Sequence, residues 1–163
     1  MSHDTGRDVR AVALGIVSTT ILTAIFLLLP DLVPAAVLER LKLAYFDLTG
    51  EWIFGNPLSS LQFIGGPIGG FLTAYLTAGS LSHSVTNGVK AVVVAIVLLY
   101  CLTVGYLLVL SVVAWETFPV IQILAIPMII GFPVAVISVF GGFVGAIAGY
   151  GLRAFQQASD GTG

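Results

Sequence analysis

Charged residues are the scarcest class in this sequence. Asp, Glu, Lys and Arg make up 9% of its 163 residues, against roughly 25% in an ordinary soluble domain. Hydrophobic residues make up 58%, and the mean hydropathy is +1.08. A soluble core of such helices would need polar helices around it, and the sequence has no polar segment of that length. The composition therefore excludes a water-soluble fold and predicts an integral membrane protein.

Residues that carry chemistry are also few. Cys101 is the sole cysteine, which excludes an intrachain disulfide, and the two histidines, His3 and His83, lack metal-ligand spacing. No predicted span has an ionisable residue in its interior, where proton relays and intramembrane catalysis need one. We interpret His83 as a loop residue with no carboxylate beside it. We therefore expect no enzyme activity, no catalytic residue, no metal and no cofactor, and the net charge of −2 argues against a nucleic-acid partner.

Long apolar runs dominate what is present. Residues 11–29 and 91–114 contain no charged residue, and each reaches the length of about 20 residues that crosses a bilayer. Residues 58–79 and 133–152 complete a prediction of an all-α membrane protein with four transmembrane helices. The first run is longer than the core of a signal peptide, so we interpret it as a retained span.

These spans divide the chain into two predicted helical hairpins. The predicted segments are a tail at 1–9, a first hairpin at 10–79 with an outer linker at 30–57, a loop at 80–89, a second hairpin at 90–152 with an outer linker at 115–132, and a tail at 153–163. The cations Arg7, Arg10, Lys90 and Arg153 would share one side, and Lys and Arg near span ends are held in the cytoplasm. The chain is thus predicted to lie in the cell membrane with both termini cytoplasmic.

The outer linkers carry the predicted interfacial features. From Pro34 onward, apolar residues recur at near-helical spacing, which indicates an interfacial helix in the first linker. Trp52 and Trp115 are expected to anchor at headgroup depth. The second linker is apolar and contains Pro119 and Pro127, so we expect a helix break between Pro127 and Pro133, with the preceding part either interfacial or re-entrant.

The two hairpins resemble each other in sequence. The segment from Arg10 aligns with the segment from Lys90, and Gly65-Gly66-Pro67-Ile68-Gly69 aligns with Gly141-Gly142-Phe143-Val144-Gly145. This pattern predicts two parallel helical-hairpin repeats.

Small residues recur at helical spacing on the second and fourth spans. In lipid, helices associate by close backbone approach, so such rows mark helix-contact faces, either within the bundle or between subunits. The predicted helix-packing or oligomer faces comprise Gly65, Gly66, Gly69, Gly70, Ala74, Ala78, Gly141, Gly142, Gly145 and Gly149.

Polar residues within the spans permit a second interpretation. Thr19, Thr23, Gln62, Thr73 and Thr77 would form a path for a small neutral solute. The alternative is that they bond neighbouring helices or their own carbonyls, as Ser and Thr do routinely in membranes.

The stretch from Ile64 to Gly79, followed by a short loop and Asn87-Gly88-Val89-Lys90-Ala91, resembles a family of small glycine-rich polytopic membrane proteins of halophilic archaea. The family pattern is Gly-Gly-Phe-x-x-x-Tyr-Leu, from which Pro67 departs. This resemblance implies a membrane location and a helical hairpin, and it brings no catalytic residue.

The sequence as a whole favours a non-catalytic accessory or structural subunit. Its expected partners are the lipid bilayer and either further copies of itself or a larger membrane protein complex. The competing hypothesis is a homo-oligomeric channel or carrier for neutral solutes.

Overall fold

The computed structural model describes residues 2–32, 64–113 and 120–160, which are almost entirely helical. In chain order the helices are α1 (Ser2–Leu32), α2 (Gly65–Leu76), α3 (Leu81–Val113) and α4 (Val120–Asp160). No strand occurs within these ranges. The prediction of an all-α chain is confirmed for the part of the chain that the structure describes.

Three of these helices are long and apolar enough to cross a membrane. Their candidate spans are Gly6–Ile25, Leu81–Val112 and Gly131–Asp160. Helix α2 has 12 residues, which corresponds to about 18 Å at 1.5 Å per residue. Residues 33–63 and 114–119 lie outside the described part, and so do the expected interfacial helix, both tryptophan anchors and Gln62.

The predicted cytoplasmic loop and tails differ from the structure. Helix α3 begins at Leu81 rather than after residue 89, so the connection from α2 is only Thr77 to Ser80. Gly79 supplies the backbone turn with a φ of +112°, a conformation that glycine adopts without strain. Ser80 then caps α3, because its Oγ accepts the His83 N–H at 3.3 Å. His83 consequently lies on a helix, which corrects its assignment to a loop.

Both chain ends are also more helical than predicted. Helix α1 begins at Ser2 within the expected tail 1–9, and α4 continues to Asp160, eight residues past the expected end at 152. The expected break between Pro127 and Pro133 is absent, since α4 is continuous from Val120 and takes in most of the predicted linker 115–132. A proline removes one N–H bond, and membrane helices tolerate that loss where neighbouring groups satisfy the freed carbonyl.

The helices converge at one end of the bundle. Arg7 Nε donates to the Leu76 carbonyl at 3.1 Å, and Arg153 Nη2 donates to the Gly79 carbonyl at 3.0 Å. The start of α1, the α2–α3 connection and the last turns of α4 therefore lie together, and we call this region the turn end. Helix α2 is central, because it packs against α1, α3 and α4.

The core around α2 consists of very small side chains. Its buried apolar residues are five alanines and Val92, and Val92 is the largest fully buried side chain among the described residues. The leucines, isoleucines and phenylalanines whose exposure is described are not in this core. The helices are thus held by close approach of their backbones rather than by interdigitating large side chains.

Gly70→Ala should test this close approach. A Cβ at Gly70 would overlap the carbonyl oxygen of Gly142, whereas a Cβ at Gly105 would have nothing within 4 Å. We expect Gly70→Ala to lower the free energy of unfolding in detergent by about 1–3 kcal/mol, and Gly105→Ala to leave it unchanged or raise it slightly. Equal stability of the two variants would contradict the packing described above.

Candidate functional site

Helix α2 presents two glycine faces to two different helices. Gly65 and Gly69 face α1, while Gly66 and Gly70 face α4, and all four are buried. Positions 65 and 69 are one helical turn apart, as are 66 and 70, so each pair forms a short row along one side. The glycines at 65, 66, 69 and 70 thus contact two different helices of the same chain.

The α1 contact pairs glycine with threonine. A Cβ at Gly69 would overlap Thr19 Oγ1 and lie 2.9 Å from the Gly15 carbonyl oxygen. A Cβ at Gly65 would overlap Thr23 Oγ1 in the same way. The threonine hydroxyls therefore occupy the volume that a larger residue on α2 would need.

The α4 contact is made from backbone to backbone. A Cβ at Gly66 would overlap the Ser138 carbonyl, and one at Gly70 would overlap that of Gly142. The relation is reciprocal, since Cβ atoms at Gly145 and Gly149 would overlap α2 carbonyls, those of Pro67 and Phe71 respectively. Carbonyl oxygens lying directly over glycine Cα atoms are the geometry of weak Cα–H···O contacts.

Three further predicted packing residues differ in their surroundings. Gly141 is partly buried against the ring of Pro67, where a Cβ would lie 2.8 Å from Pro67 Cδ. Ala74 is fully buried. Ala78 follows the end of α2 at Leu76 and so lies in the connection rather than on the predicted helical row.

The threonines of the predicted solute path are buried and closely packed. Thr19, Thr23, Thr73 and Thr77 are 1%, 4%, 0% and 0% exposed. Thr73 donates to the Gly69 carbonyl at 2.8 Å, one turn back on its own helix. The hydroxyls of Thr19 and Thr77 have no partner among the described residues. The seam between α1 and α2 is therefore polar but filled.

Two arginines from different helices cap the C-terminal end of α2. Arg7 reaches it from α1, as described above. Arg153 reaches it from α4, through the Gly79 carbonyl and, at a longer 3.4 Å, the Ala74 carbonyl. The last carbonyls of a helix have no intrahelical partners and carry partial negative charge, so guanidinium groups stabilise them.

Arg153 is unusual because it is 9% exposed and no carboxylate whose side chain the structure describes lies within salt-bridge distance. Its other neighbours are Ser84 Oγ at 3.4 Å and the Tyr150 ring, whose centroid lies 5.1 Å from the guanidinium carbon. Carbonyl acceptors and a π face thus compensate this buried charge.

A second polar cluster joins α1 to α3 at the turn end. His83 Nε2 lies 2.7 Å from Asp8 Oδ2 and 3.3 Å from Asn87 Nδ2. A protonated Nε2 donates to Asp8, and an unprotonated one accepts from Asn87, so the tautomer selects the partner. No group of three or more metal-ligating residues occurs in the described ranges.

The sequence interpretation missed both clusters. Arg153 counted only as an orientation cation, although it is flanked by Gly-Leu and Ala-Phe, an apolar setting that signals a buried guanidinium. The Asp8–His83 pair corrects the expectation that no carboxylate accompanies the histidine. These two residues are 75 positions apart, and no local spacing connects them.

Comparisons with known proteins add no relative. No family model, no curated protein and no solved structure matches this chain. The resemblance to the membrane proteins of halophilic archaea stays a prediction.

Arg153→Met should show what the α2 cap contributes. The substitution keeps the apolar stem and leaves the Gly79 carbonyl without its donor, so we expect unfolding in detergent to become easier by about 1–3 kcal/mol. Lys90→Met is the matched control, because Lys90 is exposed and its substitution removes the same charge from a neighbouring helix. If both variants unfold alike, the cap does not stabilise the bundle.

Proposed function

We propose that this chain is a non-catalytic, multi-pass protein of the cell membrane, which acts as a small accessory or structural subunit. The observation that carries the proposal is the filled core around α2. Its glycines lie against carbonyls and hydroxyls of neighbouring helices, so the described bundle is a rigid packing unit without a polar passage along this seam.

The contacts of the glycine faces bear on how such a subunit would assemble. Because α1 and α4 already cover these faces, a partner helix would approach elsewhere. The outward side of α3 offers a place, since Cys101 is exposed and Gly105, one turn along, has open space above its Cα. Apolar Leu102 and Val109, 63% and 61% exposed, flank this side.

The distribution of cations supports cytoplasmic termini. Arg7 and Arg153 meet at the turn end, and the exposed residues Arg10 and Lys90 immediately precede the predicted spans 11–29 and 91–114. The rule that Lys and Arg are retained on the cytoplasmic side then places the turn end, and with it both termini, in the cytoplasm.

The decisive experiment is the mass and composition of the particle extracted gently from its own membrane. An accessory subunit predicts a stoichiometric foreign protein in that particle. A particle containing only copies of this chain would instead favour the channel hypothesis, and a monomer would contradict both.

Gly105→Leu should separate assembly from folding. We expect this variant to keep the stability of the isolated chain while reducing the recovered complex several-fold, because a leucine blocks close helix approach. Gly69→Leu is the comparison, and it should disrupt the chain itself by displacing Thr19. Unchanged recovery with Gly105→Leu would exclude this side of α3 as the assembly surface.

A channel or carrier for neutral solutes is the second candidate. Its support is the pair of buried hydroxyls, on Thr19 and Thr77, that lack partners among the described residues. A path would require the α1–α2 seam to open. Solute flux into vesicles that contain only this protein, compared with vesicles containing a Thr19→Val variant, tests this idea directly.

A further inference from the structure

We propose that the groove between α1 and α3 at the turn end binds one lipid with an amine headgroup. Asp8 and the neighbouring polar groups would hold the ammonium, and the apolar wall of α1 would hold the first part of an acyl chain. The proposal requires only that α1 and α3 span the bilayer, and it is independent of the accessory-subunit role.

The groove has the size and the polarity of a lipid site. Its volume is about 430 Å³, and it is lined by Asp8, Val9, Val12, Ala13, Ile16, His83 and Asn87. Ligand sites commonly measure 300–1,000 Å³. The four apolar residues follow the i, i+3, i+4, i+7 spacing of one helix face. The three polar residues come from the first turns of the two candidate spans, so the groove is polar at one end only.

The polar end lies at the depth of the lipid headgroups. The candidate span of α1 begins at Gly6, which places Asp8 in its first turn. From Asp8 to Ile16 the groove extends about 12 Å along the helix axis, toward the hydrocarbon. A lipid whose headgroup lies at Asp8 would thus run its chain beside Val12 and Ile16.

The chemistry of the polar end favours a cationic donor. Asp8 Oδ2 contacts His83, and the Asp8 side chain, 18% exposed, still lines the groove. A carboxylate that is largely shielded from water attracts a cationic N–H donor strongly, so a donor with positive charge is the fitting occupant. Asn87, 8% exposed, adds a buried polar side chain to the wall. A purely anionic headgroup would face repulsion from the carboxylate.

Lys90 would complement the phosphate of such a headgroup. It is exposed and lies three residues beyond Asn87 along α3, further into the candidate span Leu81–Val112, and it stands outside the lining of the groove. In an ethanolamine phospholipid the phosphate lies closer to the chains than the amine does. The order Asp8 outside and Lys90 inside therefore matches the order of charges in that lipid.

Native mass spectrometry of the delipidated full-length protein in detergent provides the test. The probes are phosphatidylethanolamine and phosphatidylcholine with identical chains, because the choline group carries the same charge but no N–H donor. We expect the wild-type protein to bind the ethanolamine lipid about tenfold more tightly. Asp8→Asn should remove that preference, and Ala13→Trp should reduce binding of both lipids by filling the groove.

Leu14→Trp is the matched control for the filled groove. Leu14 is the next residue, is 54% exposed and does not line the groove, so this variant should bind both lipids as the wild type does. Affinities for the two lipids within twofold of each other in the wild-type protein would overturn the headgroup assignment, and this comparison needs no variant. Unchanged binding in a folded Ala13→Trp protein would overturn the location.

Discussion

The contact on which the fold depends is the approach of α2 to its neighbours at backbone distance. Gly66 and Gly70 lie against carbonyls of α4, and Gly65 and Gly69 lie against threonines of α1. Lipid tails are as apolar as leucine, so burial of large side chains gives little driving force in a bilayer, and dispersion over closely matched surfaces must replace it. This requirement explains a core in which the largest fully buried side chain among the described residues is Val92, and in which no leucine or phenylalanine of described exposure is buried.

A short central helix creates a second requirement at the turn end. Helix α2 ends at Leu76, among helices that continue past it, so its last carbonyls need donors that water would otherwise supply. Arg7 donates to the Leu76 carbonyl and Arg153 to the Ala74 carbonyl. Only Arg153 is buried, and carbonyl groups and the Tyr150 ring compensate its charge. The same small core leaves threonine hydroxyls in contact with glycine. The Thr73 hydroxyl donates to the Gly69 carbonyl of its own helix, whereas the Thr19 hydroxyl has no partner among the described residues.

The sequence predicted these features unevenly, for physical reasons. Glycine spacing is a local signal, so it indicated rows of small residues on α2 and α4, but it did not reveal which helix each row meets. Helix ends were predicted from charge and proline, and both misled. Pro127 and Pro133, between which a helix break was expected, both lie inside the unbroken α4. The arginine caps and the Asp8–His83 pair join residues distant in sequence, which no spacing argument reaches.

The glycine-rich helices also explain how one chain can contain a close helix–helix contact of the kind that usually joins two chains. In the register that aligns Gly65 with Gly141, four corresponding positions of α2 and α4 are buried in both: Gly66 with Gly142, Gly69 with Gly145, Gly70 with Ala146, and Thr73 with Gly149. Thr77, just past the end of α2, corresponds in the same way to the buried Arg153. Helices α2 and α4 run parallel, and each presents carbonyls to the glycines of the other. In a single-hairpin protein such a face would be left open and would drive dimerisation. Here α4 covers this face of α2, so a partner helix would have to approach the described bundle on a different surface.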